Sequence, residues 1–392
     1  MHNQQLKREH TRTQAFTLVE LLVVLFIMLM LATIALPTVK KLLSDQKASR
    51  AARNTAIFID AARNRAIAEN RYVGVRIERL GTGSFGQAAS IRLRQLVGIP
   101  PYTGDATDAV AKLKGTPISS AEFNVSDCPL LSLSSSLINN SDPDDDHLAP
   151  IRIGDLLELP GGRSVPITGI TDNSSPTPPP SGTPATIATA TFDLNEPNIN
   201  GNNTFPGTVR DPQNTTKGDP VKFRIHRSPV PSSSTMFSLP RGVAIDMNYS
   251  GIGVGGNQFS PDTDAGEIAG DVDIVFDPNG SVFSVTTNVS LSMTTMGYPV
   301  GKIYLCLGDS SSVMADGDNL FQGSGSTVAN IRRLDSIWIV INPASGQVVV
   351  APFATANTVP TDPFNPRDAS WYDALTEARS LANASATLDS EP

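Results

Sequence analysis

Apolar and polar positions divide the first seventy residues into distinct segments. Residues 1–15 are polar and carry three Lys or Arg side chains, whereas residues 16–36 are apolar except for two threonines and Glu20. A helix over these 21 residues would extend roughly 30 Å, which matches the hydrocarbon thickness of a bilayer. The pattern therefore predicts a leader over residues 1–15 and a transmembrane helix over residues 16–36.

Helical periodicity continues beyond Pro37 to about Asn70, with apolar positions recurring at steps of three and four. This apolar stripe consists of Ala52, Ala56, Ile59, Ala62 and Ala66. Charged and amide side chains lie largely on the other faces. The pattern predicts an amphipathic helix over residues 37–71 whose small apolar face packs on a sheet.

Most of the remaining chain has the alternating pattern that is typical of β-strands. Residues 72–96 predict the first strands of a sheet. Residues 221–352 predict the main part of that sheet, with hairpin turns at Asn279-Gly280 and Ser345-Gly346. Residues 353–392 form a tail in which Ser370 begins a predicted capping box and a short helix. The predicted apolar face of that helix consists of Trp371, Leu375, Ala378 and Ala382.

Residues 97–220 interrupt the sheet pattern and form a predicted irregular β insertion. Short candidate strands alternate there with a Pro/Ser/Thr-rich linker at residues 172–186 and an Asn/Gly/Pro-rich segment at residues 195–214. The predicted fold class is therefore α+β. A long N-terminal transmembrane-plus-amphipathic helix packs on an antiparallel β-sheet domain, which carries an inserted β lobe.

Charge is distributed unevenly along the chain. Residues 1–79 carry 13 Lys/Arg against 6 Asp/Glu, whereas the rest of the chain carries 17 against 32. A basic N-terminal arm thus precedes an acidic body. Because nucleic-acid binding depends on clustered cations, we expect no nucleic-acid partner.

No catalytic constellation emerges from the sequence. Two of the four histidines lie in the leader, and no HExxH, GxSxG or P-loop motif is present. Residues 81–86 fit G-x-G-x-x-G, but an alternating strand follows where a dinucleotide site needs a helix, so we predict a hairpin loop. We expect that the chain is not an enzyme and needs no cofactor.

Two acidic segments and two cysteines leave alternatives open. The acidic segments contain Asp142, Asp144 and Asp146, and then Asp316, Asp318 and Asn319. The first resembles the start of a calcium loop, but His147 and Ile153 occupy the positions of its glycine and its bidentate glutamate. Solvated loops are the favoured interpretation, with calcium binding as the alternative. Cys128 and Cys306 either form one disulfide or remain separate thiols.

An ordinary secretory signal peptide is an alternative for the N-terminus, with a small-residue cleavage site at residues 33–35. The apolar run exceeds the about 7–15 residues that are usual for such peptides. Glu20 also lies near its start, and a carboxylate in hydrocarbon costs a few kcal/mol on insertion scales. The presence of Glu20 therefore argues against an ordinary signal peptide and indicates that this carboxylate has a specific role.

Residues 15–22, with the sequence AFTLVELL, resemble the processing motif of type IV pilins and type II secretion pseudopilins. The resemblance implies that a prepilin peptidase cuts between Ala15 and Phe16 and that the new amine of Phe16 is methylated. It also implies that Glu20, as the fifth mature residue, acts in assembly and that Pro37 kinks the helix. The chain departs from the family at Ala15, where glycine is usual.

Two further segments resemble the FimT and pseudopilin H (GspH) branch of this family. They are residues 61–68 at the helix end and the paired strands around the two hairpin turns. The resemblance implies a single-pass protein of the bacterial inner membrane with its C-terminal body in the periplasm. The positive-inside rule instead predicts a cytoplasmic body, since five Lys or Arg residues follow the apolar segment, between positions 40 and 53.

The predicted function is that of a minor pseudopilin, a structural subunit of the periplasmic pseudopilus in type II protein secretion. The implied partners are the prepilin peptidase, other pilins or pseudopilins, the inner-membrane assembly platform and membrane lipid. A minor type IV pilin for pilus assembly, adhesion or DNA uptake is the first alternative. A membrane-anchored binding protein is the second.

Overall fold

A computed structural model describes most of the chain beyond the leader. The described residues are 18–115, 118–138, 148–160, 163–172, 187–192, 217–261, 269–290, 293–315, 317–366 and 368–388. The chain divides into two compact units, Met1–Lys47 and Ala48–Pro392. Helix α1 (Leu18–Glu69) begins in the first unit and ends in the second.

In the first unit the described residues all belong to α1, which continues through Pro37 as one helix. Within the described part of the chain, no helix combines the length and the hydropathy expected of a membrane-crossing segment.

Within the described residues, the second unit contains two large antiparallel sheets, one two-stranded sheet and four further α-helices. In chain order the strands are β1 (Val73–Arg79), β2 (Ala89–Val97), β3 (Ala111–Gly115), β4 (Ile118–Asn124), β5 (Leu156–Leu159), β6 (Arg163–Asp172), β7 (Ile187–Phe192), β8 (Lys217–Val221), β9 (Arg224–His226), β10 (Val230–Ser238), β11 (Val243–Ile252), β12 (Val272–Phe276), β13 (Val282–Ser290), β14 (Met293–Gly297), β15 (Ile303–Asp309), β16 (Gly323–Ser324), β17 (Thr327–Val328), β18 (Ile337–Ile341) and β19 (Val348–Pro352). The helices are α2 (Ser84–Ala88), α3 (Pro129–Ile138), α4 (Trp371–Ala378) and α5 (Ser380–Leu388).

The first sheet has the strand order β14-β13-β12-β1-β2-β11-β15-β18-β19, and β10 also pairs with β2. The predicted hairpins β12–β13 and β18–β19 are both confirmed. Gly280 and Gly346 in their turns have φ of 88° and 65°, which an L side chain rarely adopts. These glycines let the two strand pairs reverse direction tightly.

The two faces of the first sheet carry different cores, as the alternation along β15 illustrates. Leu305 and Leu307 join the cluster that includes the buried face of α1. Tyr304 and Cys306 join a second cluster that includes α4 and α5. The sheet is thus covered by a helix on one face and by the C-terminal helices on the other, so both strand faces had to be apolar.

The predicted stripe of α1 packs against the first sheet. Ala52, Ile59, Ala62 and Ala66 are fully buried, and only Ala56 is half-buried. Each small alanine allows close approach of the helix to the strands, and full burial of Ile59 contributes roughly 1.5–3 kcal/mol. The amphipathic pattern therefore located the helix face that contacts the sheet.

The second sheet lies between β2 and β10 in sequence and has the order β8-β3-β4-β7-β6-β5-β9. Its two edge strands, β8 and β9, are separated along the chain only by Lys222 and Phe223. Because two residues span only a few ångströms, the end of β8 and the start of β9 lie close together, so the sheet curves and brings these ends of its two edge strands near each other. Its side chains enclose a separate apolar cluster that includes Leu113, Phe123 and Ile225.

Several predicted details require correction. The boundary at residue 220 was wrong, because β9 pairs with β5 of the second sheet and not with the main sheet. The capping box at Ser370 was also wrong: this residue is helical itself, and its hydroxyl donates to Asp368 and accepts from the Thr361 N–H. The loop at residues 81–86 joins the β1–β2 hairpin as predicted but includes the start of α2.

The C-terminal helix was predicted as one segment and forms two, α4 and α5, which are separated at Arg379. The predicted apolar face is nevertheless correct. Its members Trp371, Leu375, Ala378 and Ala382 are all buried. The Trp338 Nε1 donates to Ala378 O at 2.9 Å, which fixes the end of α4 on the sheet.

Candidate processing and assembly site

Of the predicted processing and assembly residues, the structure describes Glu20 and Pro37. Ala15 and Phe16 fall outside the described residues. Glu20 lies in the first turn of α1 and is exposed. Because the first N–H groups of a helix lack intrahelical acceptors, a carboxylate in this turn is favoured by the helix dipole.

The start of α1, on both sides of Glu20 in sequence, presents large exposed apolar side chains. From Leu18 to Leu31, these side chains are between 47% and 80% exposed. They are Leu18, Val19, Leu21, Leu22, Val23, Val24, Leu25, Phe26, Ile27, Met28, Leu29, Met30 and Leu31. A contiguous apolar surface of this kind is unfavourable in water and marks a site that lipid or another protein covers.

Pro37 lies within α1, and the helix is continuous there. Proline has no backbone N–H, so it cannot donate to the carbonyl four residues earlier. The predicted kink at this position stays a prediction.

The C-terminal part of α1 is fixed to the sheet by polar contacts that the sequence did not predict. Arg63 Nε donates to Gly280 O at 3.1 Å and to Ser345 O at 2.9 Å, so it joins α1 to both hairpin turns. Arg65 Nη1 donates to the Gln95 side chain at 3.0 Å. Both arginines belong to the helix-end segment that carries the family resemblance, which was the only signal for their role.

The end of α1 is also stabilised by charge. Arg65 Nε contacts the Glu69 carboxylate at 2.8 Å, one helical turn away. The Arg65 hydrogen bond holds the pKa of Glu69 below its usual value. Asn70 then adopts a φ of 50°, a left-handed conformation that ends the helix before β1.

The two sheets contact each other through aromatic and polar side chains. The His226 ring lies 4.9 Å from the Phe283 ring of the first sheet. Within the second sheet, His226 Nε2 is 2.6 Å from a Glu158 oxygen. Tyr298 OH and Ser164 Oγ are 3.3 Å apart. The pairs His226–Phe283 and Ser164–Tyr298 join the second sheet to β13 and to the chain just after β14.

The second acidic segment has a structural explanation. Asp318 Oδ2 accepts from Ala315 N at 3.1 Å, and Asn319 Oδ1 accepts from the N–H groups of Phe321 and Gln322. The first acidic segment and Asp316 lie outside the described residues. Among the residues that the structure describes, no group of three His, Cys, Asp or Glu side chains is placed to hold a metal ion.

The two cysteines are separate buried thiols, which resolves the alternative left open by the sequence. Cys128 belongs to the core of the second sheet, and Cys306 lies beneath the C-terminal helices. Burial raises the pKa of Cys128 to about 12 and raises that of Cys306 well above its usual value. Both are therefore poor nucleophiles in the folded chain.

Comparison with known proteins bears on the N-terminus. No curated protein and no solved structure matches the chain. Residues 10–36 match the family model described as the prokaryotic N-terminal methylation motif. This match includes Ala15, Phe16 and Glu20, and it supports a prepilin leader like that of type IV pilins and pseudopilins, with membrane anchoring by the N-terminal helix.

Proposed function

We propose that the chain is a minor pseudopilin that is built into the periplasmic pseudopilus of a type II secretion system. The observation that carries the proposal is the methylation motif at residues 10–36, followed by one helix that continues into a sheet-bearing body. A prepilin peptidase cuts between Ala15 and Phe16, and the new amine is methylated. The subunit has a structural role, without catalysis or cofactor.

Glu20 supplies the electrostatic step of assembly in this proposal. After cleavage, Phe16 carries a positive amine, and Glu20 lies four residues further on. In a low-dielectric environment an unpaired charge is costly, so Glu20 pairs with its own amine or with the amine of a neighbouring subunit. That pairing favours one register when a subunit is added to the filament.

The apolar helix from Leu18 to Leu31 anchors the subunit in the bacterial inner membrane, and the body lies in the periplasm. The exposed apolar side chains of this segment support the proposal that lipid surrounds it. The assembly platform and other pseudopilins are the expected protein partners. The acidic composition of the body supports the expectation that nucleic acid is not among them.

The two hairpins favour the FimT and pseudopilin H branch. Both turns contact Arg63 near the end of α1, so the segments that carry the resemblance are neighbours in the body. A minor type IV pilin is the alternative, since a methylation motif serves both systems. A neighbouring secretion ATPase gene and secretin gene would favour the first assignment, and pilus-retraction genes would favour the second.

We also propose that residues 98–229 are an inserted lobe carried by this pilin-like body. Val97 and Val230 pair directly across β2 and β10, so the chain leaves and re-enters the first sheet at adjacent points. The second sheet has its own apolar core. An insertion at such a point leaves the pairing of the parent sheet intact.

Intact-mass and N-terminal peptide analysis of the chain, purified from cells with an active prepilin peptidase, tests the proposed processing. We expect a mature chain that begins with N-methylated Phe16. The Ala15→Gly variant is the matched control and should be processed at least as well. Cleavage after Ala35, or an intact leader in both variants, would refute the proposal.

A further inference from the structure

A small cavity lies where the two large sheets meet, and we call it the seam cavity. Its lining includes Phe283, Ser284 and Met296 from the first sheet, and His226 and Arg227 from the end of β9 and the residue after it. Its volume is about 20 Å³, and it is partly open to solvent. Since roughly 10–15 Å³ is enough for one water molecule, the seam cavity has room for a single water-sized molecule or ion.

Two buried polar atoms at the seam cavity have no hydrogen-bond partner. In the described part of the chain, four side chains have such a buried nitrogen or oxygen, and two of the four line this one cavity. They are Arg227 Nε, which can only donate, and the Ser284 hydroxyl, which can donate as well as accept. Because buried donors without an acceptor are unfavourable, two of them at one cavity indicate a bound acceptor.

The bound acceptor would lie beside a positive charge that the chain does not neutralise. Arg227 Nη2 donates to the neutral Pro100 O at 3.1 Å. Among the described residues, no carboxylate forms an ion pair with Arg227. Glu158, on the second sheet, is instead 2.6 Å from His226 Nε2 and 3.9 Å from Arg224 Nη1. The charge of Arg227 therefore favours an anion over a neutral acceptor.

We propose that the seam cavity binds one monatomic anion of the size of chloride, which accepts hydrogen bonds from Arg227 Nε and Ser284 Oγ. The apolar lining from Phe283 and Met296 lowers the local dielectric and strengthens the attraction between the anion and Arg227. The small volume disfavours sulfate and phosphate. Because Ser284 lies on β13 and Arg227 follows β9, the bound anion joins the two sheets.

Urea unfolding of the detergent-solubilised full chain, in potassium chloride and in potassium gluconate at equal ionic strength, tests this site. Gluconate is too large for the cavity, so it controls for the screening of surface charges. We expect a higher urea midpoint in chloride, and bromide should act as chloride does. A dissociation constant of about 30 mM would lower the unfolding equilibrium constant about 10-fold at about 300 mM chloride. If chloride and gluconate have equal effects, the cavity holds water only and the proposal is overturned.

Two variants of the seam cavity test whether these donors hold the anion. Ser284→Ala and Arg227→Met each remove one donor, so the difference between chloride and gluconate should shrink in both. Arg53→Met removes an exposed arginine of α1 and is the matched control, which should keep the full difference. If Arg227→Met does not fold, the smaller change Ser284→Ala decides the question. A chloride effect that persists undiminished in the seam variants, or that is also lost in Arg53→Met, would refute the assignment.

Discussion

Arg63 is the residue on which the attachment of α1 to both hairpins depends most directly. Its Nε donates to Gly280 O and to Ser345 O, and its side chain is 26% exposed. We expect Arg63→Met to weaken the folded body while keeping the aliphatic part of the side chain. The loss would include both turn contacts at once, because a single N–H group makes them.

The expected magnitude follows from the geometry. A hydrogen bond to a charged group contributes about 1.5–3 kcal/mol. Here the two acceptors share one N–H group, and the contact to Ser345 O is exposed, so water replaces part of it. The ion pair of Arg63 with Asp60 at 3.7 Å is exposed and contributes about 0.5 kcal/mol at most. We therefore expect a loss of about 1–2 kcal/mol in the free energy of unfolding.

Urea unfolding of the detergent-solubilised chain, followed by near-ultraviolet circular dichroism, measures this loss. Arg53→Met on the exposed side of α1 is the matched control and should change the free energy of unfolding by less than about 0.5 kcal/mol. Arg63→Lys should be intermediate, because lysine keeps the charge but cannot reproduce the position of Nε. If Arg63→Met unfolds at the same urea concentration as Arg53→Met, the turn contacts do not stabilise the body and this account of α1 fails.

Three further predictions follow from other parts of the chain. Glu20→Val should insert and be processed normally but lose filament incorporation, with Glu20→Asp intermediate, in cross-linking of processed subunits; normal assembly of Glu20→Val would exclude the ion pair. Replacement of residues 98–229 by a two-residue turn should leave a folded body with intact β12–β13 and β18–β19 hairpins by limited proteolysis, whereas complete digestion would contradict an inserted lobe. Cys128 and Cys306 should resist iodoacetamide at pH 8 until urea unfolds the chain, because burial raises the pKa of both thiols; rapid labelling of the folded chain would contradict their burial.

The local periodicity of the sequence was sufficient to predict the elements whose stability depends on a single apolar face. The α1 stripe and the α4–α5 face were both located correctly, since their burial pattern repeats every three or four residues. The hairpins were located because Gly280 and Gly346 occupy turns that require positive φ. In these cases the residues that determine the structure are close together in sequence.

The second sheet could not be predicted in the same way. Its strand order depends on the pairing of Ala111 with Val221 and of Leu157 with Ile225, and nothing local specifies either register. Val221, Phe223 and Ile225 alternate with Lys222 and Arg224, which is the pattern of a single strand and led to the predicted boundary at residue 221. The short break at Lys222 and Phe223 lets one end pair with β3 and the other with β5.

The candidate processing site depends on local sequence alone. The proposed cut between Ala15 and Phe16 is predicted from a motif of a few residues, without any tertiary structure. The same locality explains why the motif fails to distinguish a pseudopilin from a pilus subunit: both require the same cut and the same amine. What differs between the two systems must be recognised by the body, where this chain has an excess of acidic residues and a second sheet between β2 and β10. Variants of the body with an unchanged N-terminus are therefore the ones that can separate assembly in general from assembly with a particular partner.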